Sequence, residues 1–274
     1  MIMKHLTILF FGLLVLSGCK KNEADVDEPL AARLPFANIK LANNGADVFQ
    51  WTYQGDERLT NIKWTDLSGG SSKAIGESAS VTYDGNKLVK LETTAMNGEK
   101  ITYTAAYNGE KLSKITSANS SNPRIWNFEA EYDAQGRISQ LNRFRTNGSA
   151  IEVTSNYVLT YDANQNISKA VFTQGASSRA YIFKYDAKDN RAYQNPILLF
   201  ISMGEVSPYM NHFWGLPFLI TLSKNHITEM ATEGTTEKHL YTYQFDGEGY
   251  INAVKDDWTL ASGAKQVSDW TIKR

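Results

Sequence analysis

"YDAQGRISQL", Tyr132 to Leu141, decides the fold. An aromatic residue precedes Asp133, Gly136 closes the polar stretch, and Ile138 and Leu141 follow three residues apart. Asp bonds its own backbone in turns, and Gly accepts positive φ. The stretch therefore predicts a tight turn between strands, a type I turn followed by a glycine bulge. The same pattern begins at Tyr53 (YQGDERLTNI), Tyr83 (YDGNKLVKL), Tyr107 (YNGEKLSKI), Tyr161 (YDANQNISKA) and Phe245 (FDGEGYINAV). A decayed copy starts at Tyr185 (YDAKDNRAY), and the copies from Tyr53 to Tyr185 lie 24 to 30 residues apart. A period in the twenties marks a repeat architecture, one supersecondary unit per copy.

Each unit reads as a β-hairpin. Ahead of the turn, aromatics alternate: Phe49, Trp51 and Tyr53; Tyr181, Phe183 and Tyr185; Tyr241, Tyr243 and Phe245. Period two puts them on one face of a strand. Behind the turn, Leu88 and Leu91, Leu112 and Ile115, and Ile138 and Leu141 repeat the three-residue spacing. That spacing needs a local irregularity, which a β-bulge supplies. The fold class expected is all-β: repeated antiparallel hairpins in one twisted or partly curled sheet or shell. The turn positions are Asp84, Gly85, Asn108, Gly109, Asp133, Gly136, Asp162, Asp186, Asp246 and Gly249, with Gly lost in the Tyr161 copy at Asn166.

One segment breaks the pattern. Residues 195–222 are strongly apolar and hold Pro196, Pro208 and Pro217, half of the six prolines. Asn195-Pro196 reads as a helix start, with Pro at the first helical position. One face of an antiparallel sheet must be buried. The segment is therefore expected to be a partly helical insertion that covers the aromatic face as a plug. The rival is an exposed apolar loop that binds a partner or a membrane.

The front of the chain sets the compartment. Lys4 precedes an apolar run, Leu6 to Leu16, and Leu16-Ser17-Gly18-Cys19 closes it. A short basic region, an apolar run and a small-residue cleavage site form a secretory signal. The closing tetrapeptide resembles the lipobox of bacterial lipoproteins, which implies that residues 1–18 are removed and Cys19 is lipidated. Cys19 is the single cysteine, so no disulfide forms within the chain. Residues 19–34 then comprise the lipidated Cys and a charged, aromatic-poor tether. The stretch after Cys19 loosely resembles the acidic sorting signal of surface-exported lipoproteins, which favours the cell surface over the periplasmic face of the outer membrane. Residues 35–274 are read as a single β-hairpin repeat domain.

The repeat itself resembles the YD (Rhs-type) pattern, YD-x-x-G-R-[ILV], which rolls hairpins into a curved β-shell. Behind a Ser-Gly-Cys signal it is similar to uncharacterised Bacteroidota lipoproteins with degenerate YD-like hairpins. The resemblance covers Val48 to Val254. Arg stands in its consensus place only at Arg137. The toxin-associated core is absent and the chain is too short for a closed cocoon, so toxin delivery is not implied.

Chemistry is sparse. A formal net charge of −1 argues against nucleic acid, which demands a basic face. His212, His226 and His239 lack metal-ligand spacing. The recurring aspartates cap turns, so neither a metal nor a cofactor is expected. Trp64, Trp258 and Trp270 lie outside the best aromatic ladders and are the candidate ligand platform. The expectation is a non-enzymatic binding or scaffold lipoprotein, with a polysaccharide or another envelope protein as partner. The alternatives are a carrier of an apolar ligand beneath residues 195–222, or a glycan hydrolase with two carboxylates in a cleft.

Overall fold

The computed structural model describes residues 38–41, 47–53, 59–66, 75–95, 98–120, 124–190, 193, 200 and 221–273. Among them the chain opens with β1 (Asn38–Leu41). Seven hairpins follow: β2 (Asp47–Tyr53) with β3 (Leu59–Asp66), β4 (Ile75–Asp84) with β5 (Lys87–Ala95), β6 (Lys100–Asn108) with β7 (Lys111–Asn119), β8 (Arg124–Tyr132) with β9 (Ile138–Asn147), β10 (Ala150–Tyr161) with β11 (Ile167–Gln174), β12 (Ser177–Asp189) with β13 (Asn225–Thr232), and β14 (Lys238–Phe245) with β15 (Ile251–Thr259). β16 (Lys265–Lys273) ends the meander. Each strand pairs antiparallel with its neighbours in the chain, so the expected sheet of hairpins forms. It also closes. β1 pairs with β16 (Ile39 opposite Ile272) and with β2 (Ile39 opposite Phe49), joining the two edges into a barrel of sixteen strands. Closure removes the unpaired edges that invite aggregation.

The bulge sits where the three-residue spacing requires it. Tyr132 pairs with Ile138 and Glu131 with Gln140, which leaves Ser139 as the extra residue. The same shift isolates Thr60, Ser113 and Ser168. Their hydroxyls donate to the carbonyls of Thr52 (3.0 Å), Ala106 (3.0 Å) and Thr160 (3.1 Å), and Ser139 donates to Glu131 (3.3 Å). A bulge disrupts the ladder locally, and a hydroxyl on the extra residue satisfies the carbonyl it strands. The bulge returns both aliphatics to the inner face, where Leu88, Leu91, Leu112, Ile115, Ile138 and Leu141 are buried. Burial of each such side chain contributes about 1.5–3 kcal/mol.

Tyrosine ties one hairpin to the next. Pairing between β5 and β6 begins at Lys90 opposite Thr104, so the carbonyl of Leu88 lies beyond that ladder. The Tyr107 hydroxyl donates to it at 2.8 Å. Tyr132 donates to Leu112 (2.7 Å), Tyr161 to Ile138 (2.8 Å), Tyr185 to Ile167 (2.7 Å) and Tyr243 to Ile227 (2.7 Å). At Tyr107, Tyr132, Tyr161 and Tyr185 the aromatic before the turn thus packs its ring against the core and bonds the preceding hairpin with its hydroxyl, while at the Phe245 turn the bond comes from Tyr243, two residues earlier.

The copy at Tyr185 is split, not decayed. Tyr185 pairs with Ile227 and Lys184 with Glu229, so Thr228 is the extra residue and Ile227 and Met230 are the buried pair. Residues 190–224 replace the turn. Of the insertion expected at 195–222, Phe200 and Thr221 are helical, and Phe200, Thr221 and Leu222 are buried; the rest lies outside the described residues. Phe200, at 0 % exposure, belongs to the same apolar core as the ladder residues. Barrels of roughly 16–18 strands are otherwise wide enough for a channel, and an apolar wall requires filling. At the stem, Asn166 and Asn225 exchange two bonds (2.9 and 2.8 Å), and Ser223 accepts the Ile167 amide at 3.3 Å.

Candidate functional site

The two faces of the wall differ in chemistry. The inner face carries the aromatics and aliphatics of the core. The outer face carries charges in ion pairs: Lys114 with Glu129 (2.9 Å), Lys169 with Glu233 (2.7 Å), Lys184 with Glu229 (2.9 Å) and Lys255 with Asp257 (2.9 Å). Membrane-spanning barrels have the reverse arrangement, an apolar band outside and a polar lumen.

The predicted turn residues divide into two geometries. At Asp133 the expected type I turn forms: the Gly136 amide donates to the Asp133 carbonyl (3.0 Å) and the Asp133 amide to the Arg137 carbonyl (2.8 Å), with Gly136 at φ +82°. Asp246 and Gly249 repeat it. The Asp133 carboxylate accepts the amides of Gln135 (3.0 Å) and Arg137 (2.8 Å) and pairs with the Arg137 guanidinium (2.7 Å). Burial pushes its pKa up, but the Arg137 amide and guanidinium outweigh that and hold it below the usual range. At Asp162 the left-handed position falls on Gln165, φ +67°, and not on Asn166, the position expected from the sequence. Asn166 aligns with Arg137 and its amide is bonded to Asp162 (2.9 Å). Asp84-Gly85 and Asn108-Gly109 form shorter, two-residue loops, with Gly85 at φ +57° and Gly109 at φ +60° in the first loop position, the type II′ pattern. Asp186 binds across the insertion stem, accepting the His226 amide (3.2 Å) and facing its ring Nδ1 (3.2 Å).

The three platform tryptophans fall in one sector of the barrel. Trp64 is opposite Phe49, Trp270 is opposite Leu41 and Val254, and Trp258 is opposite His239 and Gln266. Directly opposed residues share a face, so all three occupy inner-face register positions flanking β1. The side chains of Trp64 and Trp270 fall outside the described set, as do Cys19, the tether and His212. Trp258 stacks on His239 at 4.9 Å, and His239 stacks on Tyr241 at 5.9 Å. The Nδ1 of His239 lies 2.9 Å from Asp256, which fixes the ring between its two aromatic neighbours. Among the described residues, no group of three or more His, Cys, Asp or Glu is placed to hold a metal.

On the outer wall, between the turns at 233–237 and 260–264, lies a hollow of about 690 Å³ that Trp258 also lines. Cross-strand register builds it in two rows. Lys238 pairs with Thr259 and Thr259 with Lys265; one step along, Leu240 pairs with Asp257 and Asp257 with Val267. Leu240 and Val267 are 36 % and 46 % exposed and flank Asp257 with apolar surface in the row beside Lys238, Thr259 and Lys265. Nothing in the sequence around these residues marks them as a group. Only register across three strands assembles them, and no local motif announces it.

A closed barrel of YD hairpins, apolar within and polar without, places the chain among YD-shell proteins. The family model described as the Teneurin YD-shell matches residues 66–203, and the chain belongs to that family. No curated protein matches the sequence. Among solved structures, it is similar to a porin-like protein from Bacteroides uniformis, with 15 % identity and a TM-score of 0.59 over 88 % of this chain and 98 % of the other. A porin-like protein from Bacteroides vulgatus has 11 % identity and a TM-score of 0.52, covering 87 % of this chain and 97 % of the other. At these identities the likeness concerns the fold.

Proposed function

We propose that the protein is a lipoprotein of the bacterial cell envelope, anchored to the outer membrane through Cys19, whose barrel stands in water as a non-enzymatic binding or scaffold module. The observation that carries this reading is the inversion of the wall. An outer face of lysine–carboxylate pairs is costly in lipid, where a cation at the midplane of a barrel wall costs about 2–4 kcal/mol. Membrane attachment is therefore assigned to the lipid and not to the strands. Phe200 within the core supports an interior filled by the chain itself, which disfavours an apolar-ligand carrier. The partner is a polysaccharide or another envelope protein.

Protease treatment of intact cells, with a periplasmic protein as control, tests orientation. Digestion of the barrel while the control survives is expected for a surface module. Protection would place it on the periplasmic face and count against capture of external polysaccharide.

A further inference from the structure

The hollow on the outer wall combines three kinds of chemistry. The first is positive charge without a partner. Elsewhere on this side of the barrel, Lys169, Lys184 and Lys255 pair with Glu233, Glu229 and Asp257. Among the described residues, neither Lys238 nor Lys265 has an acidic partner. The two carboxylates that line the hollow are held by other groups. Asp257 pairs with Lys255 at 2.9 Å, while Glu237 accepts the Thr232 hydroxyl at 3.2 Å and lies 3.8 Å from Arg179. The second is neutral hydrogen bonding, from Thr259 between the lysines. The third is the exposed apolar surface of Leu240 and of Val267, on either side of Asp257.

These features match a sugar ring that bears a carboxylate. Neighbouring strands lie about 4.8 Å apart, so the backbones of Lys238 and Lys265 are separated by roughly 10 Å with Thr259 midway. Two flexible ammonium groups on that baseline can converge on one anionic group above Thr259. A pyranose ring has an apolar C–H face for Leu240 or Val267 and a rim of hydroxyls for Thr259. A lipid chain would require a continuous apolar trough, whereas this floor is interrupted by Asp257. We infer that the outer hollow between β14, β15 and β16 binds a uronic-acid residue of an acidic polysaccharide, Lys238 and Lys265 taking the carboxylate. This rests on the binding-module reading and gives it a ligand class.

Calorimetric titration of the full mature chain with tri-galacturonate, with neutral galactotriose and with inorganic phosphate tests the assignment. Saturable binding of tri-galacturonate is expected, weakened as salt rises because exposed charges are screened. The double variant K238E/K265E should weaken it by roughly tenfold or more, since both exposed cations assigned to the carboxylate are reversed in sign. Lys63→Glu, an exposed outer-face lysine on β3, should leave it unchanged. Binding that survives the double variant overturns the site. Phosphate binding as tight as tri-galacturonate overturns the sugar assignment. Binding of galactotriose alone overturns the uronate site and leaves the binding module standing. A chain that binds neither these probes nor any member of a polysaccharide panel overturns the ligand class, and only a scaffold role then survives.

Discussion

The Tyr132 hydroxyl donates to the carbonyl of Leu112 at 2.7 Å, twenty residues away and in the preceding hairpin. Direct pairing between β7 and β8 is confined to Lys114–Thr116 opposite Asn127–Glu129, so this bond reaches a carbonyl that the ladder leaves behind. Tyr132→Phe keeps the ring in the core and strands that carbonyl. An unsatisfied buried acceptor costs about 1–3 kcal/mol, and urea unfolding should show a loss in that range. Tyr161→Phe, which strands the carbonyl of Ile138, should behave alike.

Gln165 holds φ +67° in the position where Gly136 holds φ +82°. Side chains other than glycine are strained there. Gln165→Gly should therefore stabilise the protein by about 0.5–1 kcal/mol, against the usual direction for glycine in a strand-rich fold. The exposed bond from Tyr193 to Gln165 (3.1 Å) would be lost and would trim the gain. Gly136→Ala should destabilise, since its Cβ would also meet Lys111 Nζ at 3.1 Å. Thermal melts of the two variants should shift in opposite directions.

Alkaline stability follows from the same tyrosines. Burial raises the hydroxyls of Tyr107 and Tyr132 from 10.0 to about 12. Tyr53, Tyr161, Tyr185 and Tyr243 are pushed higher still, also by burial. The folded state thus favours the neutral phenol. Its contribution is complete below the unfolded pKa and is lost as pH rises through the folded one. Unfolding should set in above about pH 10, with phenolate absorbance rising together with loss of the β signal in circular dichroism. Phenolate formation without unfolding would contradict the ladder.

The barrel is expected to lose stability in acid through His226. Its side chain is 4 % exposed and packs against Tyr243 and Phe245, and Lys188 lies over the Phe245 ring. Burial pulls its pKa below the usual value, partly opposed by Asp186. Protonation is therefore disfavoured in the fold. Stability is full above the unfolded pKa, about 6.5, and declines as pH falls through the folded value. His226→Gln should flatten that acid limb in melts between pH 7 and pH 4, even if its melting temperature at neutral pH is lower.

Most of the hairpin was legible in the residues from Tyr132 to Leu141. Alternating aromatics gave the strands, Asp133 and Gly136 gave the turn, and the spacing of Ile138 and Leu141 required the bulge at Ser139. Other features depend on contacts between distant residues. Ile39 closes the barrel from outside the periodic pattern, through Ile272. Thr228 and Met230 complete a hairpin whose first half ends before a long insertion. Gln165 occupies the left-handed position because Asp162 sets the turn, a register that composition at Asn166 obscured. Lys238, Thr259 and Lys265 meet only after three strands align.

The proposed barrel that stands in water and is held to the membrane by lipid alone can be tested directly. The most direct test replaces residues 1–19 with the cleavable leader of a periplasmic protein and follows the exported chain on fractionation. It should leave the membrane fraction without detergent and retain the β spectrum and cooperative melt of the anchored form. A folded chain that stays integrated in the membrane and requires detergent for extraction would contradict attachment by lipid alone.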